Sequence, residues 1–333
     1  MAVGIKEVAR VAGVSPATVS RVLGNGPVSD TLRAQVEAAV RATGYRPNLS
    51  ARRLRSRHTQ TIGLIVADIR NPFFTAISRA VEDVAFRSGL RVILCNTDED
   101  PKKEALYLRL MEEERVTGVI LAPTRSTGAE PPALPTTFPI VLVDRASPFG
   151  DQDAVTLDNV LAATILVDHL HRQGCRHIIG LFGNASSTGI ERHAGYVASM
   201  HRLGLPDDAL FIAPTLEAAE RAIRDRLTGP AAPRPDAVLA SNSLLLAGAV
   251  KAVRASGLAI PTDLAVAGFD NESWTDLVEP GITVIEQPVE VMGQTAISML
   301  LERLASPNAP HRKVVLGGQL IVRKSTRRAP AAP

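Results

Sequence analysis

The sequence predicts a small all-α head followed by a larger α/β body with two doubly wound parallel-sheet subdomains. Short amphipathic segments with helix-capping residues occupy the first 45 or so positions. From Thr61 onward, short apolar runs alternate with amphipathic stretches, which is typical of βαβ units. That alternation begins again near Val155, which indicates a second, similar half.

The first segments have the pattern of two helices joined by a tight turn. An apolar stripe at helical spacing ends at Gly13, which has the place of a C-terminal capping glycine. Ser15 and Pro16 are favoured as the N-cap and first residue of a second helix. Because the turn is short, the two helices must cross steeply, as in a helix-turn-helix. A third amphipathic helix is predicted from about Asp30 to Thr43.

The head is strongly basic. Residues 1–58 contain ten lysines and arginines but three acids, a net charge of +7, whereas the whole chain carries +3. A basic head on a mildly acidic body favours binding to a polyanion, and a solvated basic face is the second interpretation. The outward face of the second helix would present Pro16, Ala17, Ser20 and Arg21. Of these, Arg21 could pair with guanine in the major groove of DNA.

A basic segment, GYRPNLSARRLRSRHTQTIGLI, follows at residues 44–65. It allows one or two helical turns at about residues 49–56, which are too short and too charged to be stable alone. Leu54 is an aliphatic residue among arginines, which fits a wedge that unstacks a base step from the minor groove. A flexible linker with an incidental leucine is the alternative interpretation.

Four motifs together resemble the lactose/galactose repressor (LacI/GalR) family of transcriptional regulators. They are IKEVARVAGVSPATVSRVL, GYRPNLSARRLR, TIGLIVADIRNPFF and AVAGFDN, and the resemblance runs from about Ile5 to Thr326. It implies a homodimer that binds a palindromic operator in double-stranded DNA. The candidate DNA-binding residues are Ser15, Pro16, Ala17, Ser20 and Arg21 in the head, and Asn48, Ala51, Arg52, Leu54 and Arg55 in a hinge helix. The chain departs from the family pattern at Gly24 and Leu32.

Polar side chains follow the carboxyl ends of the predicted strands, where doubly wound sheets bind their ligands. Carboxylates, amides and an arginine beside two phenylalanines suit a hydroxyl-rich ligand. The resemblance implies a body like the periplasmic sugar-binding proteins, with an effector in its cleft. The candidate effector-binding residues are Phe73, Phe74, Asp144, Arg145, Thr188, Arg192, Asn242 and Asp270.

Arg145 leaves two interpretations open. Its charge would tolerate an anionic effector, such as a sugar acid or a phosphosugar. Equally, Arg145 could pair with a local acid. The family often has Asp after the equivalent of Asn242, but Ser243 stands there and removes one charge.

Three other functions would each leave a different signature in the sequence. An enzyme would need a motif such as Walker A, G-x-G-x-x-G after the first strand, or a nucleophile elbow, and none occurs. We therefore expect no catalysis, no cofactor and no metal. A periplasmic solute receptor would need a signal peptide and would have no basic head. A DNA-binding dimer that responds to no effector is excluded less firmly.

The sequence thus predicts a ligand-responsive transcriptional repressor of carbohydrate-metabolism genes. Its effector would be a sugar or a sugar derivative, and a non-sugar metabolite is the alternative. Since no stretch of 18 apolar residues occurs, we expect a cytoplasmic protein with no membrane partner. The predicted parts are a DNA-binding domain (1–46), a hinge (47–59), an effector-binding and dimerisation domain (60–326) and a disordered tail (327–333). The larger domain would divide into one subdomain at 60–158 and 289–326 and another at 159–288.

Overall fold

The computed structural model describes residues 4–23, 26–45, 59–124, 136–147, 152–184, 186–229 and 234–327. The chain divides into two compact units, Met1–Thr59 and Gln60–Pro333. The candidate hinge residues Asn48, Ala51, Arg52, Leu54 and Arg55 lie outside the described residues, as does the tail after residue 327.

The first unit contains three short helices, which confirms the helical pattern of the head. Helix α1 spans Ile5–Val11, α2 spans Pro16–Leu23 and α3 spans Asp30–Thr43. Gly13 has a φ of +63°, a left-handed conformation that favours glycine and turns the chain out of α1. The Ser15 hydroxyl accepts a hydrogen bond from the Thr18 amide at 3.1 Å and so caps α2.

The head buries one apolar stripe from each helix. Val8, Val19 and Val36 are fully buried at the centre of this small core. A hydrogen bond of 2.9 Å from Gln35 Nε2 to the Ala12 carbonyl ties α3 to the end of α1. The polar faces of the helices consequently remain available to solvent or a partner.

The second unit alternates strands and helices. Its first part consists of β1 (Thr61–Val66), α4 (Pro72–Arg87), β2 (Arg91–Asn96), α5 (Pro101–Glu113), β3 (Gly118–Leu121), β4 (Ile140–Val143) and β5 (Asp153–Leu157). The next part consists of α6 (Asn159–Arg172), β6 (Ile178–Gly183), α7 (Ser187–Arg202), β7 (Asp208–Ile212), α8 (Leu216–Thr228), β8 (Ala237–Ala240) and α9 (Ser243–Ala255). The last part consists of β9 (Ala265–Phe269), α10 (Ser273–Leu277), β10 (Thr283–Glu286), α11 (Val289–Ala305), β11 (Lys313–Leu316), β12 (Gln319–Ile321) and a 3-10 turn (Lys324–Thr326).

These strands form two six-stranded sheets within the described residues. The first has the order β11-β5-β4-β3-β1-β2 and is parallel throughout. The second has the order β12-β10-β9-β8-β6-β7 and is parallel except for the pairing of β12 with β10. Helices cover both faces of each sheet, so the central strands are apolar throughout, as doubly wound sheets require.

The chain crosses between the two sheets several times. It passes from β5 in the first sheet to α6, and from β10 in the second sheet back to α11. A final crossing leads from β11 to β12. The assignment of residues 319–326 to the first subdomain is therefore wrong, because β12 pairs with β10 in the second sheet.

Some boundaries differ from the sequence prediction. The sequence pattern predicts a helix over residues 192–203, but helix α7 begins at Ser187, because the Ser186 hydroxyl caps it by accepting from the Gly189 amide. Gly189 weakens the helical pattern but is required, since a Cβ there would lie 2.1 Å from the Gly183 carbonyl oxygen. The pattern also missed β7, α8 and α10. Among the described helices, none combines the length and apolarity needed to cross a membrane.

Candidate functional site

A polar cleft opens at the carboxyl ends of the strands, between the two sheets of the second unit. It encloses about 560 Å³ of space, which includes open solvent at its mouth. Its lining includes all eight candidate effector residues: Phe73, Phe74, Asp144, Arg145, Thr188, Arg192, Asn242 and Asp270. The structure thus brings together side chains that lie almost 200 positions apart in the sequence.

Two aspartates hold equivalent places in the two halves of the cleft. Asp144 follows β4 and Asp270 follows β9, and both have positive φ values, +70° and +77°. The amide of each donates to the adjacent strand, to the Val155 carbonyl at 3.0 Å and to the Ile285 carbonyl at 2.9 Å. Left-handed non-glycine residues are strained and concentrate at functional sites. The repeated geometry therefore marks these two positions as the centre of the site.

Arg192 projects from α7 into the floor of the cleft and is 3% exposed. Its Nε donates to Asn159 Oδ1 at 2.8 Å, and its Nη1 donates to the Ser241 carbonyl. The guanidinium carbon lies 4.0 Å from the centroid of the Phe269 ring. Burial lowers the pKa of Arg192, against the attraction of Asp270 and Asp144. These contacts hold the cation in one orientation next to the two aspartates.

Arg145 is paired with a local acid, the second of the two interpretations above. Its Nη1 and Nη2 donate to the two carboxylate oxygens of Glu99 at 2.8 and 2.6 Å, and Nη1 also reaches the Pro123 carbonyl. Its Nε lies 3.3 Å from Asp144 Oδ2, but not in hydrogen-bonding geometry. Since Arg145 is 5% exposed and paired, it supplies no unmatched charge for an anionic effector.

The other candidate residues are held by short local contacts. Asn242 caps α9 by accepting from the Leu245 amide at 2.8 Å. Asp270 accepts from the Ser243 amide at 2.9 Å and from Gln287 Nε2 at 2.6 Å. The phenylalanines of α4 pack edge to face with their centroids 5.1 Å apart. The oxygens of Ser186 and Thr188 lie 2.8 Å apart.

One hydrogen bond joins the two walls at the mouth of the cleft. Ser243 Oγ, at the start of α9, donates to Asn71 Oδ1 at 3.0 Å. Asn71 also caps α4 by accepting from the Phe73 amide at 3.1 Å. The two subdomains are therefore in direct contact beside the aspartates.

Asp144 is costly to ionise. Burial raises its pKa to about 6, although the nearby Arg145 and Arg192 act in the opposite direction. Because the pKa of Asp144 is higher in the folded protein than in the unfolded chain, the protonated carboxyl favours the folded state. This contribution to the free energy of unfolding is complete below the unfolded pKa of about 4 and is lost as the pH rises through about 6. The ionised Asp144 at neutral pH thus opposes folding of the empty cleft.

We expect Asp144→Asn to stabilise the protein at pH 7.5, because the amide imitates the neutral acid. The gain in the free energy of unfolding could reach about 3 kcal/mol and should shrink steadily towards pH 4. Urea unfolding at several pH values measures it. The exposed Asp83→Asn serves as the matched control. A gain that does not change with pH would contradict this account of Asp144.

Sequence reasoning missed two polar residues that line the cleft, Gln287 and Glu99. Gln287 follows β10 directly and could have been found by the strand-end rule. Glu99 lies three residues after β2, and only the fold shows that it reaches Arg145. For Asn159 the sequence favours hinge or cap chemistry over ligand contact. Asn159 does not line the cleft, but its side chain accepts a hydrogen bond from Arg192.

The head presents a second candidate surface. Ser15, Pro16, Ala17 and Arg21 are exposed and Ser20 is half-buried, so the face that was predicted to read DNA is accessible. The Ser15 hydroxyl already caps α2, and this holds the first turn of that helix in place.

Two histidines near the start of the second sheet have hydrogen-bonding partners within the protein. His169 Nε2 lies 2.8 Å from Thr326 Oγ1 and His177 Nε2 lies 2.7 Å from Asp208 Oδ2. In the part of the chain that the structure describes, no group of three or more His, Cys, Asp or Glu residues could hold a metal ion.

Comparisons with known proteins match both units. The family model for bacterial regulatory proteins of the lacI family matches residues 4–48, and a periplasmic binding protein-like domain matches residues 167–326. The HTH-type transcriptional regulator DegA of Bacillus subtilis is 32% identical, with 97% of each chain covered. The ribose operon repressor of Halalkalibacterium halodurans is 33% identical, again with 97% of each chain covered. The solved structure of a CelR–cellobiose complex is 27% identical with a TM-score of 0.72, covering 97% of this chain and 99% of that one.

Proposed function

The chain belongs to the LacI family of bacterial regulatory proteins and is a DNA-binding transcriptional regulator, and we propose that it is a homodimeric repressor released from its operator by a neutral sugar. The observation that carries the proposal is the polar cleft, where Arg192, Asp144 and Asp270 meet. A fixed cation between two carboxylates offers both donors and acceptors, which is what adjacent hydroxyls of a sugar need.

The charge of the cleft favours a neutral effector over a sugar acid. Four carboxyl groups line it, those of Asp68, Glu99, Asp144 and Asp270, against the two guanidinium groups of Arg145 and Arg192. Arg145 is bound to Glu99, and Asp68 is paired with Arg70 at 2.9 Å. An added carboxylate or phosphate would enter a site in which carboxylates already outnumber cations, so it would be repelled. This argues against a sugar acid, the anionic effector that the sequence left open.

The sugars named for similar proteins are neutral, as the charge of this cleft would require. A ribose operon repressor is similar over nearly the whole chain, and a CelR structure of the same fold contains cellobiose. We take from them the class of effector, a polyhydroxylated neutral molecule, and not its identity. We also propose that the protein has no catalytic activity, since its relatives are regulators.

The DNA side of the proposal uses the exposed start and outer face of α2. Pro16, Ala17, Ser20 and Arg21 would read base edges in the major groove of each half-site. The segment with Asn48, Ala51, Arg52, Leu54 and Arg55 would contact the minor groove between half-sites. Sugar binding in the cleft would change the separation of these segments in the dimer and so couple the two ligands.

A thermal-shift screen and an operator-release assay test the proposal together. The panel holds D-ribose, D-xylulose and cellobiose as neutral sugars, with D-gluconate, ribose 5-phosphate and adenine as competitors of other classes. A neutral sugar at 100 times its Kd should add about 2.7 kcal/mol of stability and release operator DNA. A response to D-gluconate or ribose 5-phosphate alone would overturn the neutral class. Operator binding with no response to any sugar would favour the effector-independent dimer.

A further inference from the structure

Asn159 lies at the first of the three crossings between the two sheets and also contacts Arg192, the cation of the cleft. It is the first residue of α6 and follows the end of β5 by two positions. It is 2% exposed. Its Oδ1 accepts from Arg192 Nε at 2.8 Å, and its Nδ2 donates to Glu191 Oε2 at 2.7 Å. One short side chain therefore connects the crossing to two consecutive residues of α7.

Close packing of α6 against α7 makes this contact possible. A Cβ at Gly195 would lie 2.3 Å from the Val160 carbonyl oxygen. The backbone of α6 therefore packs directly against the backbone of α7 at this glycine. The start of α6 is also fixed, because Asp158 Oδ1 accepts from the Leu161 amide at 2.9 Å. The Asn159 side chain consequently has little freedom to move away from Arg192.

The direct hydrogen-bond partners of Arg192 carry no charge, although the carboxylates of Asp270, Asp144 and Glu191 attract it from nearby. Its described hydrogen bonds go to an amide oxygen of Asn159 and to the Ser241 carbonyl, which are both neutral. A carboxylate at either place would form an ion pair and weaken the attraction of Arg192 for a molecule in the cleft. An asparagine at position 159 orients the guanidinium without adding another carboxylate to those of Asp270, Asp144 and Glu191, so the donors of Arg192 remain available to hydroxyls in the cleft.

We infer that Asn159 is a positioning residue: it aims Arg192 into the cleft and ties that cation to the crossing between the two sheets. The inference rests on the proposed function. Asn159 itself does not line the cleft, so it acts on the effector through Arg192. A sugar that displaces Arg192 would also displace the start of α6, which is one of the three places where the chain passes between the subdomains.

The first test needs no sugar and follows the Nε–H proton of Arg192 by NMR, with Arg192→Lys to assign the signal by its loss. In the wild type this proton is buried and hydrogen-bonded, so its exchange with water should be slow. In Asn159→Ala the exchange should accelerate about tenfold or more, because the acceptor is gone. In Asn159→Asp an acceptor remains and the exchange should stay slow. Unchanged exchange in Asn159→Ala would overturn the positioning role.

The second test measures D-ribose binding by calorimetry and operator binding without sugar. We expect the Kd for D-ribose to rise about tenfold or more in Asn159→Ala, through loss of orientation, and also in Asn159→Asp, through neutralisation of Arg192. Operator affinity should stay within about threefold. Val160→Ala, in the same turn of α6 and exposed, is the matched control and should bind D-ribose like the wild type.

The outcomes separate this inference from the proposed function. If wild-type protein responds to no sugar, the proposed function fails, while the exchange of the Arg192 proton still decides whether Asn159 positions it. A purely structural role would lower the Tm of both variants but leave the D-ribose Kd unchanged, and that result would refute the inference. Should Asn159→Ala fail to fold, Asn159→Asp keeps the shape of the residue and still has to weaken D-ribose binding, and Glu191→Gln is added so that the new carboxylate does not face the carboxylate of Glu191.

Discussion

Arg192→Ala is expected to abolish the response to sugar while leaving operator binding in place. A hydrogen bond from a charged donor contributes about 1.5–3 kcal/mol, so losing even one contact to the sugar should raise its Kd by about 10- to 150-fold. Arg192 also lowers the pKa of Asp144, so its loss leaves that buried carboxyl harder to ionise. Calorimetric titration with the most stabilising sugar of the panel measures the loss, and gel-shift titration of the operator without sugar measures what is retained.

The control for Arg192→Ala is Arg221→Ala, which removes the same charge from an exposed position on α8. It should bind sugar and operator like the wild type. A variant at Arg192 that still releases DNA at the same sugar concentration would show that the effector lies elsewhere. A variant that loses operator binding without sugar would show that Arg192 supports the dimer or the fold and not the response alone.

The helices of the head could be predicted because local signals determine them. Gly13 adopts the left-handed conformation that its position indicated, and Ser15 caps the helix that Pro16 begins. The strand ends of the body were predictable for a similar reason, since apolar runs of parallel strands end where polar residues begin. This is why seven of the eight candidate residues proved to line one cleft. The eighth, Arg192, lies within α7 and was implied only by the family resemblance.

Features that depend on long-range packing could not be predicted. Arg145 gave no sign of its partner, because Glu99 lies 46 positions away and meets it only when β2 and β4 share a sheet. The short strand β12 looked like the end of the first subdomain, since periodicity does not tell which sheet a strand joins. Asn159 had the ordinary appearance of a residue at a helix start. Its contact with Arg192 depends on how closely α6 approaches α7.

The second large effect is expected at the DNA surface, where Arg21→Ala should weaken operator binding at least tenfold. Arg21 is exposed on α2, where its guanidinium could donate two hydrogen bonds to one guanine base in the major groove. One such pair contributes about 1–3 kcal/mol of discrimination, and a dimer would lose two of them. Binding to random DNA should fall much less, because there Arg21 contributes only its charge. Fluorescence anisotropy with both DNAs at one fixed salt concentration measures the ratio.

Arg41→Ala is the matched control, because it removes the same charge from an exposed position at the end of α3. Any loss that it causes should be similar on operator and random DNA, since a phosphate contact carries no sequence information. If Arg21→Ala lowers the affinity for operator and for random DNA equally, Arg21 contacts phosphate and does not recognise a base. Specificity would then have to come from Ser20, Ala17 and Pro16, or from deformation of the operator by the hinge segment.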